Sequence, residues 1–75
     1  MEEIIIKIIR EVRPYEQIER DTELIKSGLL DSLAVIKLTM LLEDEFEIEI
    51  AEEEVNVENF CSVTNIVHLI TKIKI

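Results

Sequence analysis

Seventy-five residues carry a formal net charge of −9, from Lys+Arg 8 against Asp+Glu 17. So short a chain is expected to be one domain, residues 1–75, near the lower size for folding on a hydrophobic core alone. Its field repels nucleic acid and anionic membrane and favours a basic partner. Hydrophobic residues make up 48% but aromatic ones only 4%, so the core must be aliphatic, and one Gly and one Pro supply too few turns for an all-β fold. A single Cys cannot form an internal disulfide, which points to a reducing compartment. No apolar run approaches the roughly 20 residues that span a bilayer, and the charged N-terminus is no secretory signal. A cytoplasmic monomer is expected.

From Met1 to Val12, the residues Met1, Ile4, Ile5, Ile8, Ile9 and Val12 fall within one arc of a helical wheel, with Lys7 and Arg10 opposite. Ile6 is the misfit. Pro14 ends this helix, because the residue before a proline avoids the helical region. Residues 14–31 form a long connection with apolar anchors at Tyr15, Ile18, Leu24, Ile25, Leu29 and Leu30. Loops this long in small domains are functional or packed down. Asp21 and Thr22 read as a local turn or cap, and Gly28, the one glycine, as a position needing positive φ or close approach.

The second helix is predicted over Ser32 to Phe46, with Asp31 or Ser32 as its cap. Val35, Leu38, Leu42 and Phe46 make a core stripe. Leu33, Ile36 and Met40 make a second apolar stripe on the side of Ser32, flanked by Lys37, Glu43 and Asp44. A helix with two apolar faces is either buried between neighbours or offers one face to a partner. Phe46 to Ile50 alternates with period two, an extended connector with Phe46, Ile48 and Ile50 turned inward. Residues Asn56 to Phe60 read as a short helical turn. Ser62 caps a last helix from Val63 to about Lys74, which gathers Val63, Ile66, Val67, Ile70 and Ile73 on one face. The fold class is all-α, a small four-helix bundle of three main helices and one short one.

Charge is concentrated. Residues 43–58 contain Glu43, Asp44, Glu45, Glu47, Glu49, Glu52, Glu53, Glu54 and Glu58 with no base, while the rest of the chain balances. Such a stretch reads as a solvated face or as a steering surface; it lacks the spaced Asp/Asn ligands and central Gly of a calcium loop. Nothing forms a catalytic constellation. His68 lies on the polar face of the last helix, Cys61 has no second cysteine and reads as a small core residue, and one glycine cannot build a phosphate-cradling loop. Ser32 has two readings. It is a plain N-cap, or it is a hydroxyl at a helix start, where free amides and the helix dipole favour a phosphate group.

The run Leu24-Ile25-Lys26-Ser27-Gly28-Leu29-Leu30-Asp31-Ser32-Leu33, followed by Leu42-Glu43-Asp44-Glu45-Phe46, resembles the acyl carrier protein family, and Phe60, Val63, Ile66, Leu69 and Ile70 match its third and fourth helices. The likeness covers nearly the whole chain. It implies a carrier and no catalyst. Ser32 would be the attachment point for 4′-phosphopantetheine, transferred from coenzyme A by a magnesium-dependent phosphopantetheinyl transferase. Asp31 would help present the serine to that transferase and its metal, with Leu33 completing the motif. The arm's thiol would hold cargo as a thioester, near successive active sites. Leu33, Ile36, Lys37, Met40, Glu43 and Asp44 would meet partner enzymes, synthases or loading ligases with basic docking surfaces.

Two departures bear on cargo. Fatty-acid carriers usually bear acids early in this helix, where this sequence has Ala34 and Lys37. The Gly-Leu-Leu-Asp-Ser-Leu spelling also resembles D-alanyl and stand-alone peptidyl carriers. Fatty acyl, other acyl and aminoacyl cargo all stay open. The alternative function is an unmodified acidic helical interaction module that shares only the fold, for which Ser32 would be dispensable.

Overall fold

The structure, a computed structural model, describes residues 1–74. Four helices follow one another: α1 (Glu2–Val12), α2 (Ser32–Phe46), α3 (Val57–Phe60) and α4 (Val63–Lys74), with a 3-10 turn at Glu52–Glu54 before α3. α1 begins with Glu2 and Glu3 and carries Arg10 in its last turn, charges that suit the helix dipole. It stops at Arg13, whose φ of −132° and ψ of 79° are the extended geometry demanded before Pro14.

The buried face of α1 is narrower than its wheel suggests. Ile5, Ile8 and Ile9 are buried, whereas Met1 and Ile4 are exposed. α1 packs against α2 and α4, and two neighbours on one side cover only part of a six-residue arc. Ile6, off the wheel arc, packs half-buried at the core edge together with Val12.

The long connection is packed down. Ile18, Leu24, Leu29 and Leu30 are buried, and its backbone is tied across the fold: Leu24 N–H donates to the Cys61 carbonyl at 2.8 Å, and Thr64 N–H to the Arg20 carbonyl at 3.2 Å. Thr22 holds a local turn by accepting from Glu19 N–H through Oγ1 at 2.9 Å. Gly28 has φ +81° with open space where a Cβ would stand, so backbone conformation alone selects glycine. Tyr15 is no anchor: it is 97% exposed. It lies within the turn that Glu16 N–H closes onto the Arg13 carbonyl, and the side chain leaves the body of the protein there.

In α2 the buried line is Ala34, Leu38 and Leu42, spaced by four, with Val35 and Phe46 half-buried against it. The buried line thus starts one residue earlier than the expected stripe, and Val35, at the edge of the core, also lines a groove. Glu47 ends α2 in the left-handed conformation, φ 54° and ψ 52°. The Glu43 carboxylate then accepts from Ile50 N–H at 2.9 Å and clasps the connector to the helix. Ile50 is buried and Glu47 and Glu49 exposed, as the alternation requires.

Asn56 caps α3 by accepting from Asn59 N–H at 2.8 Å. The 3-10 turn was not legible in the sequence: three consecutive glutamates have no apolar period, and the turn is closed by Glu54 N–H to Ala51 O and Val55 N–H to Glu52 O, with the side-chain amides of Asn56 and Asn59 donating to the Glu53 and Glu54 carbonyls. Ser62 Oγ accepts from Asn65 N–H at 3.2 Å at the start of α4. That helix buries Val63, Ile66, Leu69 and Ile70, with Val67 and Ile73 half-buried. Phe60 sits at zero exposure among these aliphatic side chains. Cys61 is half-buried beside it instead of in the core, its thiol donating to the Glu58 carbonyl at 3.3 Å.

Candidate functional site

Two residues compete to cap α2, and the structure separates their roles. Asp31 takes the extended N-cap conformation, φ −90° and ψ −178°, and its Oδ1 accepts from Ala34 N–H at 2.8 Å. Its carbonyl accepts from Val35 N–H at 2.9 Å. Ser32 is therefore the first helical residue. Its side chain is exposed and forms no hydrogen bond among the described residues. The hydroxyl that would be consumed in a capping serine is left free. The amides of Ser32 and Leu33 precede the first intrahelical bond and have no helical acceptor, so this end of α2 keeps unsatisfied donors and the positive end of its dipole.

A groove of about 320 Å³ runs past this serine. Ile25 and Leu30 of the long connection form one wall, Val35 and Ile36 of α2 another, and Val55, Asn56 and Val57 close it from the segment entering α3. Asp31 and Ser32 stand at its mouth. The sequence reading missed Ile25, Val55 and Val57 as site residues. Ile25 reads simply as a loop anchor, and only the fold carries residues 55–57 across to α2.

The predicted partner residues divide by position. Leu33, Ile36 and Met40 are exposed at 65%, 55% and 62%, so the second apolar stripe of α2 is a surface feature. Lys37 and Asp44 are exposed on the same side, at 40° and 20° from Leu33 on a wheel of about 100° per residue. Glu43 is half-buried and its carboxylate is engaged by Ile50 N–H, so it has a structural duty that its neighbours lack. Among the described residues the acidic stretch meets two bases of α4: Lys72 Nζ lies 3.3 Å from Glu54 Oε2, and Lys74 Nζ donates to the Phe46 carbonyl at 3.1 Å. His68 is exposed on α4, and Cys61 lines a different groove, with Glu23, Lys26, Val57, Glu58 and Ser62.

Fold and site together define a small helical domain with an exposed, unengaged hydroxyl at a helix start beside an apolar groove. The family model described as the phosphopantetheine attachment site matches residues 3–70, and the chain belongs to that family. Comparison with curated proteins gives no match. Domains of this family are carriers, the attachment sites for covalently bound 4′-phosphopantetheine, and they interact with phosphopantetheinyl transferases and acyl-handling enzymes. The residues present fit that group: a free hydroxyl for a phosphodiester, unsatisfied amides and a helix dipole for its negative charge, and a groove with apolar walls for an amide-containing chain. Among the described residues no helix is long and apolar enough to cross a membrane.

Proposed function

We propose that this chain is a single carrier unit that holds an acyl or aminoacyl group on a 4′-phosphopantetheine arm attached to Ser32 and delivers it to partner enzymes. The observation that carries this reading is the division of labour at the start of α2. Asp31 caps the helix, so Ser32 Oγ stays exposed and free to react. In the loading step, Ser32 Oγ forms a bond to the β-phosphorus of coenzyme A as the pyrophosphate P–O bond breaks. Adenosine 3′,5′-bisphosphate leaves, and the serine proton passes to a base on the transferase. Asp31 Oδ1 is engaged with Ala34 N–H, whereas Oδ2 has no donor among the described residues and can face the transferase and its magnesium. When attached, the arm supplies the thiol that holds cargo as a thioester.

Leu33, Ile36 and Met40 supply the apolar contact for the transferase and for acyl- or aminoacyl-loading ligases or synthases, with Lys37, Glu43 and Asp44 around it. The acids of 43–58 steer basic docking surfaces, an effect that weakens as salt rises. A cytoplasmic setting accords with the lone, half-buried thiol of Cys61.

The test is the intact mass of the protein before and after incubation with coenzyme A, magnesium and a broad-specificity phosphopantetheinyl transferase. A gain of one phosphopantetheine, absent in Ser32→Ala, is expected. No gain on a folded sample overturns the reading in favour of an unmodified interaction module.

A further inference from the structure

The partner face of α2 has a charge order along its length. From Ser32 to Leu42 the helix has no acid and one base, Lys37; three acids, Glu43, Asp44 and Glu45, then follow. Lys37 is exposed amid Leu33, Ile36 and Met40, and no residue three or four positions away on α2 can pair with it. α1 brings a second cation to the same end. Arg13 and Lys37 line one shallow groove of about 170 Å³ with Val12, Asp31, Leu33 and Ala34, which places both bases beside the start of the helix that bears Ser32. The adjoining groove of about 290 Å³ joins Lys37 and Met40 to Glu11, Val12 and Leu41 of the α1–α2 junction. Among the described residues neither Arg13 nor Lys37 lies in an ion pair; the two pairs formed are Arg20–Glu2 and Lys72–Glu54. Lys37 and Asp44 stand about 10 Å apart along the axis at roughly 1.5 Å per residue. That is close to the screening length at about 0.1 M salt, so a partner meets them as two separate charges.

Resting on the carrier reading, we infer that this face fits an enzyme surface of mixed and ordered charge. The partner presents an apolar recess for Leu33, Ile36 and Met40, a carboxylate against Lys37 and Arg13 on the side nearest Ser32, and a basic side chain against Asp44 on the far side. A partner that is basic throughout meets like charge at Lys37 and is disfavoured. The net charge of −9 attracts any basic surface; the order of charges along α2 selects among them and fixes which way round they dock.

Two synthetic amphipathic helical peptides test this without a known partner enzyme. They have identical composition and net charge: one carries Glu opposite Lys37 and Lys opposite Asp44, and the other has those two residues exchanged. Binding is followed by amide shift changes in ¹⁵N-labelled protein at low salt. The matched peptide is expected to bind on α2 about fivefold tighter than the exchanged one, from two exposed pairs each changing sign. The preference should invert for the Lys37→Glu/Asp44→Lys protein and vanish for Lys37→Ala/Asp44→Ala, a pair that introduces no new charge. Equal affinities, shifts centred off α2, or a preference indifferent to the double exchange overturn the inference. Ser32 loading is measured by mass on the wild-type protein, whose transferase-facing side chains are intact. Protein that loads but shows no order preference refutes the charge order alone, whereas protein that does not load refutes the carrier reading.

Discussion

Replacing Asp31 separates two duties that one side chain performs. Its Oδ1 accepts from Ala34 N–H at 2.8 Å, the side-chain cap of the longest helix in the protein. Asp31→Ala removes that acceptor and leaves Ala34 N–H to water, at a cost of about 1 kcal/mol. In a domain of this size the loss lowers Tm by roughly 4–8 °C. Asp31→Asn keeps an oxygen at the same place, and asparagine caps about as well as aspartate. What Asn loses is the negative charge near the helix N-terminus, about 0.3–1 kcal/mol when exposed and smaller in salt. At moderate ionic strength Asn should therefore recover more than half of the stability lost in Ala, as read by urea unfolding monitored by helical circular dichroism. The initial rate of phosphopantetheine transfer is the second readout. If the free Oδ2 serves the transferase and its metal, both variants load slowly although only one is destabilised. An Asn variant as unstable as the Ala variant would refute the capping argument. An Asn variant that loads at the wild-type rate would refute the role of the charge.

Other perturbations probe the frame around the site. Phe60 is completely buried amid aliphatic side chains, so Phe60→Ala should cost about 3–5 kcal/mol. That approaches the whole stability of a chain this short, at about 0.05–0.15 kcal/mol per residue, and calorimetry should show a lost or strongly lowered transition. Glu43→Ala leaves Ile50 N–H without its 2.9 Å acceptor and should cost about 1 kcal/mol, whereas Glu43→Gln retains an oxygen and should cost less. Faster hydrogen exchange at the Ile50 amide in the Ala variant, with Gln near wild type, is the expected pattern.

Local chemistry was enough to read most of the frame. Helical period located α1, α2 and α4; Pro14 and Ser62 marked a stop and a start, and Asn56 opened the short turn that became α3, because caps and breakers act within a few residues of where they stand. The glycine at Gly28 and the second apolar stripe of Leu33, Ile36 and Met40 were legible for the same reason, since a positive φ and a second apolar face are properties of a short segment, whereas the exposure of that stripe was decided by the packing. Other features depended on which segments meet. The sequence allowed either Asp31 or Ser32 to cap α2, and only the folded backbone, with Asp31 Oδ1 at Ala34 N–H, left the serine hydroxyl unengaged. Tyr15 looked like an anchor and Met1 and Ile4 like core, but burial requires a neighbour to supply the other side of the contact. Val55 and Val57 become walls of the groove beside Ser32 because the connector after α2, clasped by Glu43, returns the chain across that helix. Segment by segment, the sequence determined where the helices lie. The groove and the placing of Arg13 and Lys37 along one shared cleft arise only when distant segments pack together; the free hydroxyl follows from a choice between two adjacent caps that residue type alone leaves open.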